Sequence, residues 1–199
     1  MTNFLDISRL IFILLIIPLS INGQTKRIYI APDDHTDLWW LADVPTYNQA
    51  FLSMLDYYID LADNTQSEAQ NNQSRWNCDG NYWMWIYEKN RSPQQFQKLI
   101  SYVKSGHISI PLNPLAVVWG ATPAEAVIRG MYYSGKIERE YNVRFPLVYS
   151  MENQTLPLGL ATLWGEAGAK YSWKGVCQCN TSVNATDRDH EIYLSLIHI

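Results

Sequence analysis

RIYIAPDDHTDLWW, residues 27–40, carries the clearest information on fold class. Its first five residues are mostly β-branched and aromatic and stop at Pro32, which predicts a buried strand followed by a polar loop. His35 and Asp37 are two residues apart in that loop, so in an extended segment both side chains point to one side and can reach one cation. Parallel α/β folds place their ligand sites at the carboxyl ends of strands, where this loop is expected. A solvated loop without a metal is the alternative.

Strand-like and helix-like segments alternate along the rest of the chain. Short apolar segments rich in β-branched and aromatic residues predict strands at residues 75–78, 107–111, 145–151 and 171–177. Helical spacing of apolar residues, or Ser, Thr and Pro at a first turn, predicts helices at residues 45–61, 92–104, 122–135 and 156–168. The polar segment 63–74 is expected to be a loop. This alternation indicates an α/β fold with parallel strands and helical crossovers, either layered or a barrel.

The length of the chain favours an incomplete barrel over a closed one. A (β/α) barrel usually takes about 250 residues, and this sequence has 199. We therefore expect residues 24–189 to form a partial (β/α) barrel domain of a larger protein. Residues 190–199 follow a polar loop and are expected to be a truncated or out-of-frame tail. An open sheet is the alternative architecture.

The N-terminus has the layout of a secretory signal peptide. Arg9 precedes the apolar run 10–17, and Pro18 and small residues follow up to Gly23. The run is shorter than the roughly 20 apolar residues that a spanning helix needs. We expect residues 1–23 to be removed, which implies a secreted, periplasmic or other extracytoplasmic protein with no stable membrane insertion. An uncleaved membrane anchor is the alternative.

Charge and aromatic content narrow the classes of ligand. The net charge of −4, with no basic cluster, argues against nucleic-acid binding. Eight Trp and thirteen Tyr suit sugar rings, although core and surface packing would use them too. The three cysteines permit one disulfide involving Cys78 or a structural role, because a metal site built on Cys177 and Cys179 would need further ligands.

Three motifs, in this order, resemble glycoside hydrolase family 38, the zinc-dependent α-mannosidases. HTDLWW resembles the family's His-x-Asp-x-x-Trp start, with His35, Asp37 and Trp40 at the matching positions. PAEAVIRGMYYSG, residues 123–135, resembles the helix after the third strand in bacterial members. YSMENQTLPLGLATLWGEAGAKY, residues 149–171, is similar to the next unit, in which an acidic residue follows a strand and Leu-Pro opens a helix. Together the motifs cover residues 27–177.

The resemblance implies a seven-stranded (β/α) barrel with one zinc ion that orients the hydroxyls of a mannoside substrate. In the family, zinc is held by the first-strand His and Asp, by an Asp after the third strand, and by a distant His. His35 and Asp37 match directly. Asn113 is expected at the position of the third-strand Asp, which in the family is also the nucleophile, and an amide cannot form the covalent glycosyl intermediate. His107 is a further candidate ligand or an ordinary packed histidine, and the distal ligand has no match.

Other polar and aromatic residues are candidates for the sugar site. Glu152 follows the strand 145–151, where it could act as the acid/base or cap the next helix. Asp79 is expected either to face the sugar or to belong to a turn assisted by Gly80. Trp39 and Trp40 could stack against a sugar, although at least one is expected in the core. Glu125 is expected to cap its helix or to pair with Arg129, outside the chemistry.

The sequence therefore predicts zinc-dependent hydrolysis of α-mannosides or related glycosides by a protein of which this chain holds a part. Two other classes remain open. A catalytically silent carbohydrate-binding relative would keep the cleft while Asn113 replaces the nucleophile. A metal-dependent polysaccharide deacetylase-like barrel would use metal-bound water in place of a carboxylate nucleophile.

Overall fold

The computed structural model describes residues 30, 32–33, 36, 38, 41–115, 119–150, 157 and 159–174, except the side chains of residues 173 and 174. The strands in these residues are β1 (Trp76–Asn77), β2 (Ile108–Ser109), β3 (Leu147–Ser150) and β4 (Tyr171–Lys174). The α-helices there are α1 (Val44–Thr65), α2 (Asn81–Asn90), α3 (Pro93–Ser105), α4 (Ala124–Gly130), α5 (Tyr132–Tyr141) and α6 (Gly159–Glu166). Two 3₁₀ turns lie at Gln70–Asn72 and Trp119–Ala121.

All strand pairs in the described residues are parallel and join neighbours along the chain. β1 pairs with β2, with Trp76 opposite Ile108, and β3 pairs with β4. Before β1, Asp33 makes a parallel bridge to Asn77. Between β2 and β3, the Leu112 N–H donates to the Leu147 carbonyl oxygen at 2.7 Å. The α/β fold with parallel strands is thus confirmed, while the strands of the described part do not close a barrel.

The helix α1 buries one face against β1 and α2. Phe51, Leu55 and Ile59, each one turn apart, are at most 3% exposed. The Phe51 ring stacks on Trp83 with ring centroids 4.3 Å apart, and Tyr58 stacks on Trp76 at the same distance. Aromatic residues are therefore a large part of this core.

Two predicted helix boundaries were wrong, one because of a tertiary contact and one because of a local cap. The helix expected to end at Leu61 continues to Thr65, since Asp63 in its last turn is bonded by Lys98 and Tyr102 of α3. The helix expected at residues 122–135 is two helices, α4 and α5, and α5 passes through Gly135 and ends at Tyr141. Asn142 follows it with a left-handed φ of 50°, which is a local stop signal that the prediction did not use.

Several local sequence signals lie where the structure has the expected helix ends and side-chain pair. Ser92 caps α3, accepting from the Gln95 N–H while the Gln95 side chain accepts from Ser92. Gly106, with φ 77°, ends the same helix in the left-handed conformation. Glu125 and Arg129 form the expected pair at 2.8 Å, and both side chains are exposed. No helix among the described residues has both the length and the apolar character needed to span a membrane.

A charged clamp joins α1 to the end of α2. Asp56 accepts hydrogen bonds from the Arg91 guanidinium at 2.5 and 3.1 Å and from the Tyr87 hydroxyl at 2.8 Å. Partial burial alone would raise the pKa of Asp56, but these hydrogen bonds and the charge of Arg91 outweigh burial and lower it. The carboxylate form therefore stabilises the fold.

We expect Asp56→Ala to lower the free energy of unfolding by about 1 to 2 kcal/mol near neutral pH, because Asp56 is 37% exposed and solvent screens the pair. The pKa of Asp56 is lower in the folded chain than its usual value near 4, so its contribution is complete above that value. The contribution is lost as the pH falls through the lowered pKa. Urea unfolding of both proteins at about pH 7 and about pH 2 measures the difference.

Glu125→Ala is the matched control, because its pair with Arg129 is exposed on both sides. Its cost should stay below about 0.5 kcal/mol at both pH values. A cost for Asp56→Ala that is equally large at both pH values would contradict the clamp as an ionic interaction.

Candidate functional site

Buried polar side chains collect where the parallel strands end. Among the described residues, the buried polar or charged side chains are Asp79, Asn81, Asn113, Ser134 and Ser150. The first three follow β1 or β2 within five residues, and Ser150 is the last residue of β3. Because parallel strands present their carboxyl ends at one edge, these groups share the edge at which α/β proteins bind ligands.

Side chains from β1 and β3 hold the loop after the first predicted strand. The Pro32 carbonyl oxygen accepts from the Asn77 backbone N–H at 3.0 Å and from the Asn77 side chain at 3.2 Å. The Tyr149 hydroxyl of β3 donates to the Asp33 carboxylate at 3.1 Å. Four residues beyond Pro32, the Thr36 N–H donates to the Asp79 carboxylate at 3.0 Å. The loop is therefore tied to two different strands.

Asp79 lies in the interior. Its exposed fraction is 0%, and Oδ2 accepts from the Thr36 backbone. A buried carboxylate is costly unless hydrogen bonds compensate it, so this contact is one reason the group is tolerated. The expected sugar contact of Asp79 stays a prediction. Gly80 next to it has an extended backbone with φ 178°, so the conformation there does not require a glycine.

Asn113 uses its amide to join β2 to β3. Its Nδ2 donates to the carbonyl oxygens of Tyr149 at 2.9 Å and Leu115 at 3.0 Å. Its Oδ1 accepts from the Tyr149 N–H at 2.7 Å. The side chain is 1% exposed. Its amide pairs with both the N–H and the carbonyl oxygen of Tyr149. As placed here, it positions backbone and has no nucleophilic group to offer.

Asn81 makes a second bridge at the same edge. Its Nδ2 donates to the Leu112 carbonyl oxygen at 2.6 Å and to the Ser134 hydroxyl at 2.7 Å. The Ser134 hydroxyl in turn donates to the Leu112 carbonyl oxygen at 3.0 Å. The segments after β1 and β2 are thus locked to α5 by a closed set of buried hydrogen bonds.

His107 lies away from this edge. It precedes β2 at the amino end, with Nδ1 2.7 Å from the Ser105 hydroxyl and Nε2 3.1 Å from the Gln73 side-chain oxygen. Burial and the charge of Arg75 lower the pKa of His107. Both ring nitrogens have protein partners, as expected for a packed histidine and not for a metal ligand at the opposite edge.

Five of the expected site residues lie outside the described part of the chain: His35, Asp37, Trp39, Trp40 and Glu152. Their roles stay predictions, as does a disulfide of Cys78 with Cys177 or Cys179. Cys78 itself is buried, with its sulfur 3.3 Å from the Gly80 carbonyl oxygen. Within the described ranges, no three His, Cys, Asp or Glu side chains come together as a metal site.

Sequence reasoning missed Asp33 and Tyr149. Asp33 directly follows Pro32 at the end of the first predicted strand, and that position at a carboxyl end was the available signal. Tyr149 lies in a segment correctly predicted as a strand, but nothing local shows that its hydroxyl reaches a residue 116 positions earlier.

Comparisons with known proteins find a likeness in fold. No protein-family model matches the sequence, and no curated protein matches it. The structure resembles an α-mannosidase from Enterococcus faecalis V583, with a TM-score of 0.63 and 16% identity over 75% of this chain. It also resembles a protein of glycosyl hydrolase family 38 from Enterococcus faecalis, with a TM-score of 0.58 and 16% identity over 75% of this chain.

The chain covers 16% and 17% of those two proteins, so it spans about a sixth of their length. Likeness at this level of identity shows a shared fold. It agrees with the α/β arrangement described above.

Proposed function

We propose that this chain supplies the first β/α units of an incomplete (β/α) barrel in a glycosidase that acts on α-mannosides or related glycosides. The observation that carries the proposal is the set of ties at the carboxyl-end edge: Asp33 and Asn113 both bond to Tyr149, and Asp79 bonds to Thr36 of HTDLWW. Likeness in fold to an α-mannosidase supports the choice of substrate class.

The residues proposed for the chemistry are close in sequence to residues that lie at this edge. We propose His35 and Asp37 as zinc ligands, because Thr36 between them is tied to Asp79. Bound zinc would orient sugar hydroxyls, as the family resemblance implies. The described donors do not make a zinc site by themselves, since the Asn113 amide is already bonded to Tyr149.

Glu152 is proposed as the acid/base, and Trp39 and Trp40 as the surface on which a sugar ring stacks. Glu152 follows β3, whose last residue Ser150 belongs to the buried polar edge. The signal-like residues 1–23 support a role outside the cytoplasm.

A catalytically silent carbohydrate-binding protein is the second candidate. The observation in its favour is the environment of Asn113, whose amide is saturated by backbone groups in the interior. If the family's nucleophile position is this one, then sugar binding would persist while covalent catalysis would not.

Zinc content and hydrolysis of a nitrophenyl α-mannoside, measured on the full-length protein of which this chain would be a part, test the proposal. We expect about one zinc per chain, and we expect His35→Ala to lose both zinc and hydrolysis. Glu152→Gln should lower kcat by roughly 10²- to 10⁴-fold while zinc content stays unchanged, since a general acid/base contributes about that factor. His107→Ala is the matched control, because it removes a histidine at the opposite edge.

Zinc with mannoside binding but no turnover would establish the silent protein. Release of acetate from acetylated polysaccharide, without free sugar, would identify a deacetylase. Absence of zinc and of mannoside binding would overturn the proposal as a whole.

A further inference from the structure

We infer that Asp79 is a positioning residue, which fixes the backbone of Thr36, the residue between His35 and Asp37, by accepting its N–H. The role of that segment in sugar chemistry rests on the proposed function, but the hydrogen bond does not. Asp79 comes from the segment after β1, 43 residues away in sequence, so the contact joins Thr36 to the carboxyl end of β1.

The chemistry of the contact suits a positioning role. A carboxylate accepting a backbone N–H makes a hydrogen bond about twice as strong as a neutral one. Asp79 is 0% exposed, so little solvent competes for its oxygen. Fixing the peptide of Thr36 constrains the chain at the residue between His35 and Asp37, the two candidates for the chemistry. Such restraint sets the geometry of functional groups.

The other end of the loop has its own restraints. Pro32 is bonded by Asn77, and Asp33 by the hydroxyl of Tyr149. Without Asp79, the chain would keep its hydrogen bonds at residues 32 and 33 but would lose the one at Thr36. Asp79 therefore supplies the tie at Thr36, separate from those at residues 32 and 33.

This role differs from direct contact with the sugar in what it requires of the side chain. Positioning requires only an oxygen that can accept a hydrogen bond, which Asn also supplies. Recognition of sugar hydroxyls by charge, or binding of a metal ion, requires the carboxylate. Asp79→Asn and Asp79→Ala therefore separate the two roles.

The experiment is hydrogen exchange of the full chain, without substrate, followed on the peptide that covers residues 33–41. In Asp79→Ala we expect its amides to exchange roughly tenfold to a hundredfold faster, as expected from losing a charge-assisted hydrogen bond. Asp79→Asn should keep most of the protection. Asn81→Ala is the matched control, because Asn81 is buried at the same edge but bonds to Leu112 and Ser134.

Thr36→Pro removes the donor and leaves the buried carboxylate in place, so it tests the contact if Asp79→Ala does not fold. It should also speed exchange in the remaining amides of residues 33–41. Unchanged exchange in Asp79→Ala or in Thr36→Pro would overturn the inference, as would equal acceleration by Asn81→Ala. Zinc titration of the unaltered chain reports on the proposed function separately, so the two can fail independently.

Discussion

Gly80→Ala is expected to lower the free energy of unfolding by more than about 4 kcal/mol, a loss that few single substitutions cause. A Cβ atom on Gly80 would lie 1.9 Å from the carbonyl oxygen of Pro114 and 2.5 Å from its carbonyl carbon. Both are backbone atoms, so no side-chain rotation relieves the overlap. The segments after β1 and β2 would have to separate, which would break the Asn81 and Tyr82 hydrogen bonds to that backbone.

Chemical denaturation with a circular dichroism signal measures this loss. Gly165→Ala in α6 is the matched control, because a Cβ there meets nothing within 4 Å. That substitution should be neutral or stabilising by up to about 1 kcal/mol, since Ala favours helix over Gly. Similar midpoints for Gly80→Ala and the unaltered chain would show that the two segments do not approach as described.

Asn113→Asp should lower the free energy of unfolding by about 3 to 5 kcal/mol at neutral pH, the usual cost of an uncompensated buried charge. The Asn113 Nδ2 donates to the carbonyl oxygens of Tyr149 and Leu115. In the variant, a carboxylate oxygen would face those two acceptors instead. Introducing the acidic residue that the family resemblance expects is therefore predicted to cost stability.

The loss in Asn113→Asp should depend on pH. Burial and the two carbonyl oxygens favour the protonated acid, so the pKa of the new carboxyl group is raised in the folded chain above its unfolded value near 4. The variant is therefore closest to the parent below that value, and it loses stability as the pH rises toward the raised pKa. Urea unfolding between about pH 4 and about pH 8 follows this slope.

Asn48→Asp is the control for that substitution. The Asn48 side-chain oxygen accepts from the Tyr82 hydroxyl, and a carboxylate keeps that interaction. Its free energy of unfolding should change by less than about 0.5 kcal/mol. A stable, pH-independent Asn113→Asp protein would contradict the backbone-bridging role of Asn113.

Local sequence predicted the strands better than the helix boundaries. The segment 145–151 contains β3, whose last three residues are buried, as is typical of parallel strands. The segment 171–177 contains β4, although Tyr171 at its start is 46% exposed. The aromatic segment 82–87 lies in the helix α2, where one face buries Trp83 and Tyr87 against α1. Its aromatic composition alone did not identify it as a helix, since propensity is weak beside tertiary packing.

The edge that holds the candidate site was predictable, but its contacts were not. Alternating strands and helices place polar residues such as Asp79 and Asn113 at the carboxyl ends of parallel strands. Whether an amide faces solvent or a neighbouring backbone depends on how two strands are aligned. Asn113 and Tyr149 are 36 residues apart, and no local pattern encodes that alignment.

The hydroxyl of Tyr149 also sets an order of assembly. Its bond to Asp33 closes a span of 116 residues, whereas the helix contacts around α1 and α2 involve residues about 30 apart. Long-range contacts form late because the chain entropy lost on closing them is large. During synthesis, the tie between Asp33 and Tyr149 therefore cannot form until β3 has left the ribosome. This tie should consequently form later than the contacts between α1 and α2.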